Sequence, residues 1–411
     1  VTAANDNRRI RLTLALGRAR WKTGDAVRAM DLYEAGASLA RSRGDGDQLA
    51  KAALGYDDVR FRFGFPVEPA VKLYEEALAA LDEGDSRLRV RVVCGLIRAQ
   101  GHRMIPVVLK TLVDQAVAMA RRLGEPEALY TALEAKAMAY PQPEMLGERL
   151  AMRKELLESA RQIGDPAPLL DAYVLRMEDL LAAGDIEGVD QDLETMGRMV
   201  AEIGEPFYSY CQVTKQAMRT LLDGRFSEAE QYAQKGLEYS RQIELDHADG
   251  VFGLQMFSIR RLQGQLRALA PVVAQFVASH SDASSWRPGL ALVYAEIGDV
   301  ASARAEFDRL APDDFAAIPR DVLWSTCLSY MADVCFALDD AERARVLYRL
   351  LEPFAEQAIV VGNSITCNGA ASRSLGQLAT VMGDWEAAEA RFRHALAFNE
   401  RLKAVPWLAL S

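Results

Sequence analysis

The sequence predicts an all-α chain, a right-handed solenoid of about ten helical hairpins with a 40-residue period. Three observations predict it. The phrase Ala160-Arg161-Gln162-Ile163-Gly164-Asp165-Pro166 recurs, as Ala120-Arg121-Arg122-Leu123-Gly124-Glu125-Pro126 before it and Ala201-Glu202-Ile203-Gly204-Glu205-Pro206 after it. Positions 44, 84, 124, 164, 204 and 244 lie 40 apart, and all but Glu244 are glycine; a fixed period of this size marks units that bury their apolar faces only on their neighbours. A second set of turns falls half-way, at Gly24-Asp25, Gly184-Asp185, Gly224-Arg225, Gly264-Gln265, Gly298-Asp299 and Gly383-Asp384. Between turns the apolar residues step by three and four, as in Val67, Ala70, Val71, Tyr74, Ala77, Leu78 and Leu81, the spacing of one helix face.

Taken in order, the first hairpin starts near Arg8 and the last ends near Arg401. Glycine closes each helix in the left-handed conformation, and the aspartate beside it caps the next. Gly64-Phe65-Pro66 and Ala139-Tyr140-Pro141 make the same turn with proline, which fits a first helical turn. Two turns per period leave roughly 16 residues per helix, about 25 Å. Ala29, Ala229, Ala303, Ala344 and Ala388 follow the mid-unit turn by about five residues, where a small side chain lets two helices approach. Phe61, Phe63 and Phe65, and later Phe207, Tyr208 and Tyr210, read as packing between units.

After residue 244 the period slips, with mid-unit turns at 264, 298, near 339 and at 383. His280 to Pro288 and Asp313 to Pro319 read as loose connections. The expected organisation is therefore a regular array over 1–279 and a less regular array over 280–411. Ala358-Ile359-Val360-Val361 lies between helical units and reads as a helix end and turn. Asn363 is expected in left-handed geometry, with Ser364 capping the helix that follows.

Composition narrows the function. Half of the residues are hydrophobic, 26% are charged, and the formal net charge is -10. That is a globular balance, and the acidic sign argues against direct binding of nucleic acid, which favours a basic face. Arg87, Arg89, Arg91 and Arg98 cluster locally and read as a solvated face. The residues Val1 to Arg9 contain no apolar signal segment, and no run of about 20 apolar residues occurs to span a membrane; a cytoplasmic location is expected. The chain does not begin with methionine and reads as a fragment or a processed product. Five scattered cysteines (Cys94, Cys211, Cys327, Cys335 and Cys367) fit buried thiols in a reducing compartment.

No phosphate-binding GxxxxGK[ST] loop, HExxH, GxSxG or CxxC is present, and His102, His247, His280 and His394 fall in different units. No cofactor, metal or catalytic residue is expected, and the chain reads as not an enzyme. In a hairpin array the first helix of each pair lines the inner face. Counting back from the mid-unit glycines, the inner positions are Arg11, Arg18, Lys51, Asp58, Arg62, Asp171, Glu178, Thr214, Ser258, Arg261, Asp333, Arg373 and Gln377. These are the candidate partner-binding residues.

The units resemble tetratricopeptide repeats: Leu16-Gly17, Gly24-Asp25, Ala29, Tyr33 and Gly36 fall at that family's small and large positions, as do Gly224, Ala229 and Gly236. The period of 40 in place of 34 implies longer helices. The repeated Ala-Arg-x-Ile-Gly-Asp-Pro phrase is similar to the C-terminal helical region of large bacterial ATP-dependent regulators of the AAA/STAND type, linked to LuxR-type or cyclase output domains. Trp286-Arg287-Pro288, Asp314 to Asp321, Gly383-Asp384-Trp385-Glu386-Ala387-Ala388, Asn399-Glu400-Arg401-Leu402 and Pro406-Trp407-Leu408 extend the likeness through the C-terminal third. The resemblance implies an interaction or sensor region in signalling or transcription regulation. Its inner face would meet a protein or peptide, missing domains of its own parent chain, or a small-molecule effector. An oligomerisation scaffold is the further alternative, with Trp407, Leu408 and Leu410 as exposed apolar residues at the chain end.

Overall fold

The structure is a computed structural model and describes all residues except 1–2, 24, 64–65, 100–106, 244, 246–247 and 280–285. Its contacts divide the chain into two units, one of Val1–Pro141 with Ala151–Asp165 and one of Gln142–Leu150 with Pro166–Ser411. The first contains α1 (Ala3–Lys22), α2 (Ala26–Arg43), α3 (Gly46–Phe63), α4 (Glu68–Ala80), α5 (Arg87–Ala99), α6 (Val107–Leu123) and α7 (Pro126–Ala139). α8 (Leu146–Ile163) contributes residues to both units. The second continues with α9 (Pro166–Ala183), α10 (Ile186–Ile203), α11 (Pro206–Leu222), α12 (Phe226–Gln242), α13 (Ala248–Leu262), α14 (Ala270–Ser279), α15 (Arg287–Glu296) and α16 (Val300–Leu310). It then runs through the short α17 (Pro312–Phe315), α18 (Trp324–Leu338), α19 (Ala341–Leu351), a hairpin of β1 (Ala358–Val361) and β2 (Thr366–Ala370), α20 (Ala371–Val381), α21 (Trp385–Arg401) and α22 (Val405–Leu410). The chain is an α-solenoid of helical hairpins with one small β-element. The joint expected at 280 falls beside residues outside those described.

The turns work as the residue types require. Gly44, Gly124, Gly164, Gly204 and the mid-unit Gly184, Gly224, Gly264, Gly298 and Gly383 all have φ between +65° and +81°, which L-residues avoid and glycine accepts. Gly84 is not in that conformation, and Gly24, Gly64, Phe65 and Glu244 lie outside the described residues. Asp25, Asp185, Asp299, Asp340 and Asp384 each accept a hydrogen bond from the backbone N–H three residues on, at 2.9 to 3.3 Å. Each such cap holds an otherwise orphaned donor and contributes about 1 kcal/mol. The five alanines expected at the close approaches are buried.

The slip in period has two causes. α9 to α12 have 17 or 18 residues, whereas α14, α15, α16, α19 and α20 have 10 or 11, which shortens the step from 264 to 298. The left-handed turn at Asp313 to Phe315 and the β-hairpin then insert residues that lengthen the steps to 339 and 383. Arginines near helix ends bond to acids about one repeat away: Arg41 to Glu76, Arg121 to Glu155, Arg261 to Glu296, Arg304 to Asp340 and Arg349 to Asp314. The exposed members of this ladder contribute little each, about 0–1 kcal/mol, but they fix the register of hairpin on hairpin. In the first unit, Tyr74 on α4 lies against Gly95 on α5, where a Cβ would come within 2.5 Å of the ring; the glycine is there to admit the ring.

Four expectations change. Ala358–Val361 is a strand, not a helix end, and pairs antiparallel with β2, Ala358 opposite Ala370, Val360 opposite Cys367 and Val361 opposite Thr366. All nine strand residues are buried. A short β-branched run enclosed on both faces suits a buried strand, and periodicity alone does not separate it from a helix end. Ser364 is therefore in the hairpin turn, with φ +56°, and caps nothing; α20 begins only at Ala371. The left-handed residues of that turn are Gly362 and Ser364, not Asn363. Trp407 is not exposed either, at 2% of its surface, although Leu410 keeps 53%. The irregular linker expected near 313 is a left-handed turn at Asp313, Asp314 and Phe315 (φ 51°, 56° and 62°), unfavourable for L-residues, with Phe315 buried beside Phe307.

Candidate interaction surfaces

In the first unit α1 packs on α3, α3 on α5 and α5 on α7, while no comparable packing joins α2 to α4 or α4 to α6. The first helices of the hairpins thus form the closer-spaced layer, which is the inner side of a curved stack. Arg11, Arg18, Lys51 and Asp58 lie exposed on α1 and α3, and Arg91 and Arg98 lie exposed on α5. None of these six makes an ion pair or hydrogen bond among the described residues. The side chain of Arg62 lies outside the described residues, as do those of Phe61 and Phe63.

Exposure is not the whole environment of this row. Burial by surrounding protein pushes the Asp58 carboxyl above its ordinary range, against the pull of Arg98, Arg91 and Arg18. Glu134, half-buried on α7, is raised in the same way against Arg98 and Arg153. Asp58 is thus reached by water while the protein around it partly desolvates its carboxyl. Desolvation alone would lower Arg98, but Glu134, Tyr74, Cys94 and Asp57 outweigh it and raise its pKa. The row is therefore charged, mutually sensed and unbonded. Beneath it, Asp57 accepts from Arg60 at 2.7 Å and from Tyr74 Oη at 3.0 Å, a closed buried network.

The second unit treats its inner positions differently. Ser258, Arg261, Asp333 and Arg373 come together in the interior, from α13, α18 and α20. Asp333 receives Arg261 at 2.5 Å and Arg373 at 2.7 Å, and Arg261 also reaches Glu296 at 2.7 Å. Both guanidiniums lie over the Trp407 ring, at 5.5 and 5.4 Å from its centroid, and Trp407 Nε1 donates to the Cys367 carbonyl of β2 at 3.0 Å. Burial pushes the Asp333 carboxyl up, but Arg373 and Arg261 outweigh it and hold it below the usual carboxylate range. Gln377 is half-buried on α20.

The β-hairpin occupies the space these residues face. α9 and α18 pack on β1, and α11, α13, α20, α21 and α22 pack on β2. Lys215 donates to the Asn363 carbonyl, Gln255 to the carbonyls of Thr214 and Ile365 at 3.0 and 3.2 Å, and Ser258 bonds to Thr366 Oγ1 at 3.2 Å. Thr214 is buried and donates to Tyr210 O; Asp171 and Glu178 are half-buried on α9. Burial drives the Lys215 ammonium down to about 8, against the opposing pull of Cys211 and Glu178. Sequence reasoning missed Lys215, Gln255 and Trp407. Lys215 stands one position from the predicted Thr214, and Gln255 stands three positions, one helical turn, from the predicted Ser258, so a tolerance of one position would have found the first and a tolerance of one turn the second.

One cluster has the residue types of acyl-transfer chemistry. His394 Nδ1 lies 3.0 Å from Ser372 Oγ, and His394 Nε2 lies 2.9 Å from Glu356. Ser372, however, has no exposed surface on the first turn of α20, so a substrate carbonyl has no approach to it; the cluster ties α20 to α21. A shallow cleft between α16 and α19 is lined by charges that pair among themselves, Arg304 with Asp340 and Arg343 with Asp308. Among the described residues no group of three or more His, Cys, Asp or Glu side chains is placed to hold a metal. No helix among them is long and apolar enough to cross a membrane.

No family model and no curated protein matches the chain by sequence. Among solved structures it is similar to yeast Tom70, with a TM-score of 0.45 and 10% identity over 98% of this chain and 95% of that one. It is similar to the Cut9–Hcn1 hetero-tetramer of APC/C, at 0.48 and 14% over 94% and 80%. It is also similar to a Rap protein complexed with competence and sporulation factor, at 0.44 and 12% over 96% and 98%. All three scores lie below 0.5, so the functional reading rests on this chain's own residues.

Proposed function

We propose that the chain is a non-catalytic interaction module whose first unit receives an extended protein segment along its inner helices. One observation carries this reading. The second unit already holds an extended segment, its own β-hairpin, against its inner positions through bonds from Lys215 and Gln255 to main-chain carbonyls. The first unit carries charged residues in the corresponding row with nothing bonded to them among the described residues. Arg11, Arg18, Lys51 and Asp58 are its contact residues in this reading. Thr214, Ser258, Arg261, Asp333 and Arg373 instead surround the internal hairpin, through Gln255, Thr366 and Trp407, and Asp171, Glu178 and Gln377 lie on α9 and α20, which pack on it.

The test is binding of randomised, end-blocked peptide pools to the intact chain, followed by site-directed photo-crosslinking from Ala15 on α1. Crosslinks that form in the presence of peptide and vanish with unlabelled competitor support the reading. Absence of binding by every pool removes it. The wider setting is part of the same proposal: a cytoplasmic sensor region, with a second array from about residue 280, in a bacterial ATP-dependent signalling or transcription regulator. The resemblance of the C-terminal third supports that setting, and a parent reading frame lacking an ATPase module refutes it.

A further inference from the structure

The geometry points to an acidic extended segment as the occupant of the first unit, recognised by several side-chain carboxylates bonding to Arg18, Arg91 and Arg98. The inference rests on the segment-binding reading above and adds the chemistry of the partner.

The first support is a contrast among arginines. Arginines elsewhere in the chain commonly pair with an acid, including Arg41, Arg121, Arg176, Arg219, Arg260 and Arg343. Arg18, Arg91 and Arg98 are exposed and have no such bond among the described residues. A guanidinium offers five donors in a planar fork that matches a carboxylate, and a fork left to water stays available; Arg241 in the second unit is exposed in the same way, but these three stand on the first helices α1 and α5 of their hairpins.

The second support is the position of the nearest acids. Asp58 and Glu134 interact electrostatically with Arg98, and Asp58 also with Arg91 and Arg18, yet none of them closes an ion pair. Opposite charges that feel each other without touching leave room between them. In the second unit the equivalent arrangement is closed, with Asp333 bonded to both Arg261 and Arg373. The open version has the guanidiniums for carboxylates and the Asp58 carboxylate for a backbone N–H.

The third support is spacing. Arg91 and Arg98 are seven residues apart on α5, roughly 10 Å along its axis. Arg18 lies on α1, two packed helices from α5, and packed helices stand about 8–10 Å apart. One terminal carboxylate reaches only one of these groups. Alternate side chains of an extended segment recur about every 7 Å, so a segment with repeated Asp or Glu reaches all three. The chain shows this backbone conformation in place on the inner face of its second unit, as β1 and β2.

The experiment uses three pools of short peptides with acetylated and amidated ends, in which alternate positions are Glu, Gln or Lys and the others are randomised over Ala, Ser, Thr and Val. Binding to the full chain is read by fluorescence anisotropy at low and high salt. The Glu pool is expected to bind best and to weaken with salt. Arg91→Gln with Arg98→Gln should weaken it about tenfold or more, as loss of charged hydrogen bonds implies. Arg91→Lys with Arg98→Lys should bind between the parent and the Gln variant, because the charge is kept and the planar fork is lost. Melting temperatures read alongside should fall only modestly, because neither side chain makes an ion pair or hydrogen bond among the described residues and the loss is the attraction of Arg98 for Glu134 and Asp57.

Equal binding of the Gln and Glu pools, or Glu-pool binding unchanged in the Gln double variant, overturns the inference and leaves segment binding intact. Displacement by inorganic phosphate or single-stranded RNA below the concentration of Glu peptide overturns it in favour of a phosphate ligand. Self-association that disappears in the double variant overturns it in favour of a second copy of the chain. Failure of all three pools removes the segment-binding reading as well.

Discussion

Two rows of inner-face charge in this chain are built from the same residue types and end in opposite states. In the first unit Arg18, Asp58, Arg91 and Arg98 are exposed and, among the described residues, unbonded. In the second Arg261, Asp333 and Arg373 are bonded, stacked on Trp407 and sealed by a β-hairpin. The difference teaches that position on the inner helix does not fix what a charged residue does. A charge facing an open concavity remains a potential contact, whereas the same charge facing a chain segment becomes part of the core. Buried, it must be paired, since desolvating a lone ion costs several kcal/mol.

The largest expected effect tests the closed row. Asp333→Ala leaves two buried guanidiniums without their shared acid and should cost about 3–5 kcal/mol of stability, measured by urea unfolding. Because the folded carboxyl sits below its ordinary value, the contribution is complete above the unfolded pKa near 4 and is lost only as pH falls through the lower, folded one. Asp58 should show the reverse sign. Its folded pKa is raised, so it costs stability as pH rises from the unfolded value to the folded one, and Asp58→Asn should remove that slope rather than destabilise. If Asp58→Asn proves as damaging as the loss of Asp333, the first row is not open.

Next in size is Lys215. Its folded pKa of about 8 lies below the ordinary lysine value near 10.4, so the unfolded chain holds the proton more tightly. Stability relative to a Lys215→Met variant should therefore rise between about pH 8 and 10.4 by roughly 3 kcal/mol and be flat below that window. A flat difference throughout would mean that water reaches the hairpin turn. A smaller effect, about 1–3 kcal/mol of overpacking, is expected for Gly95→Ala, where the new Cβ meets the Tyr74 ring at 2.5 Å; calorimetry reads it as a lower melting temperature. The smallest is Arg91→Ala, which should stay within about 0.5 kcal/mol of the parent because the exposed Arg91 makes no ion pair or hydrogen bond among the described residues.

Much of the fold was legible because its signals are local. A left-handed glycine and an aspartate three residues from the N–H that it caps act within one turn, so Gly184-Asp185 or Gly383-Asp384 announces itself wherever it stands. The candidate site was legible only as a list of positions. Asp58 and Asp333 were both placed on the inner face by the same counting, and nothing within a turn of either distinguishes the one that stays open from the one that is closed. Ala358–Val361 was misread for a related reason: four apolar residues carry too little periodicity to separate a buried strand from a helix end, and its partner strand begins five residues later across a turn whose left-handed residue is Ser364 rather than the expected Asn363.

The sequence by itself determined the period, the turns, the caps and the helix faces, because each depends on hydrogen bonds and side-chain contacts between residues close along the chain. Only the tertiary structure decided that a β-hairpin fills the inner side of the second unit, that Trp407 is buried, and that Arg261 and Arg373 share one aspartate. Those contacts join residues 40 and 72 positions apart. Their formation depends on which segment arrives to exclude water, and the residues at either end carry no record of it.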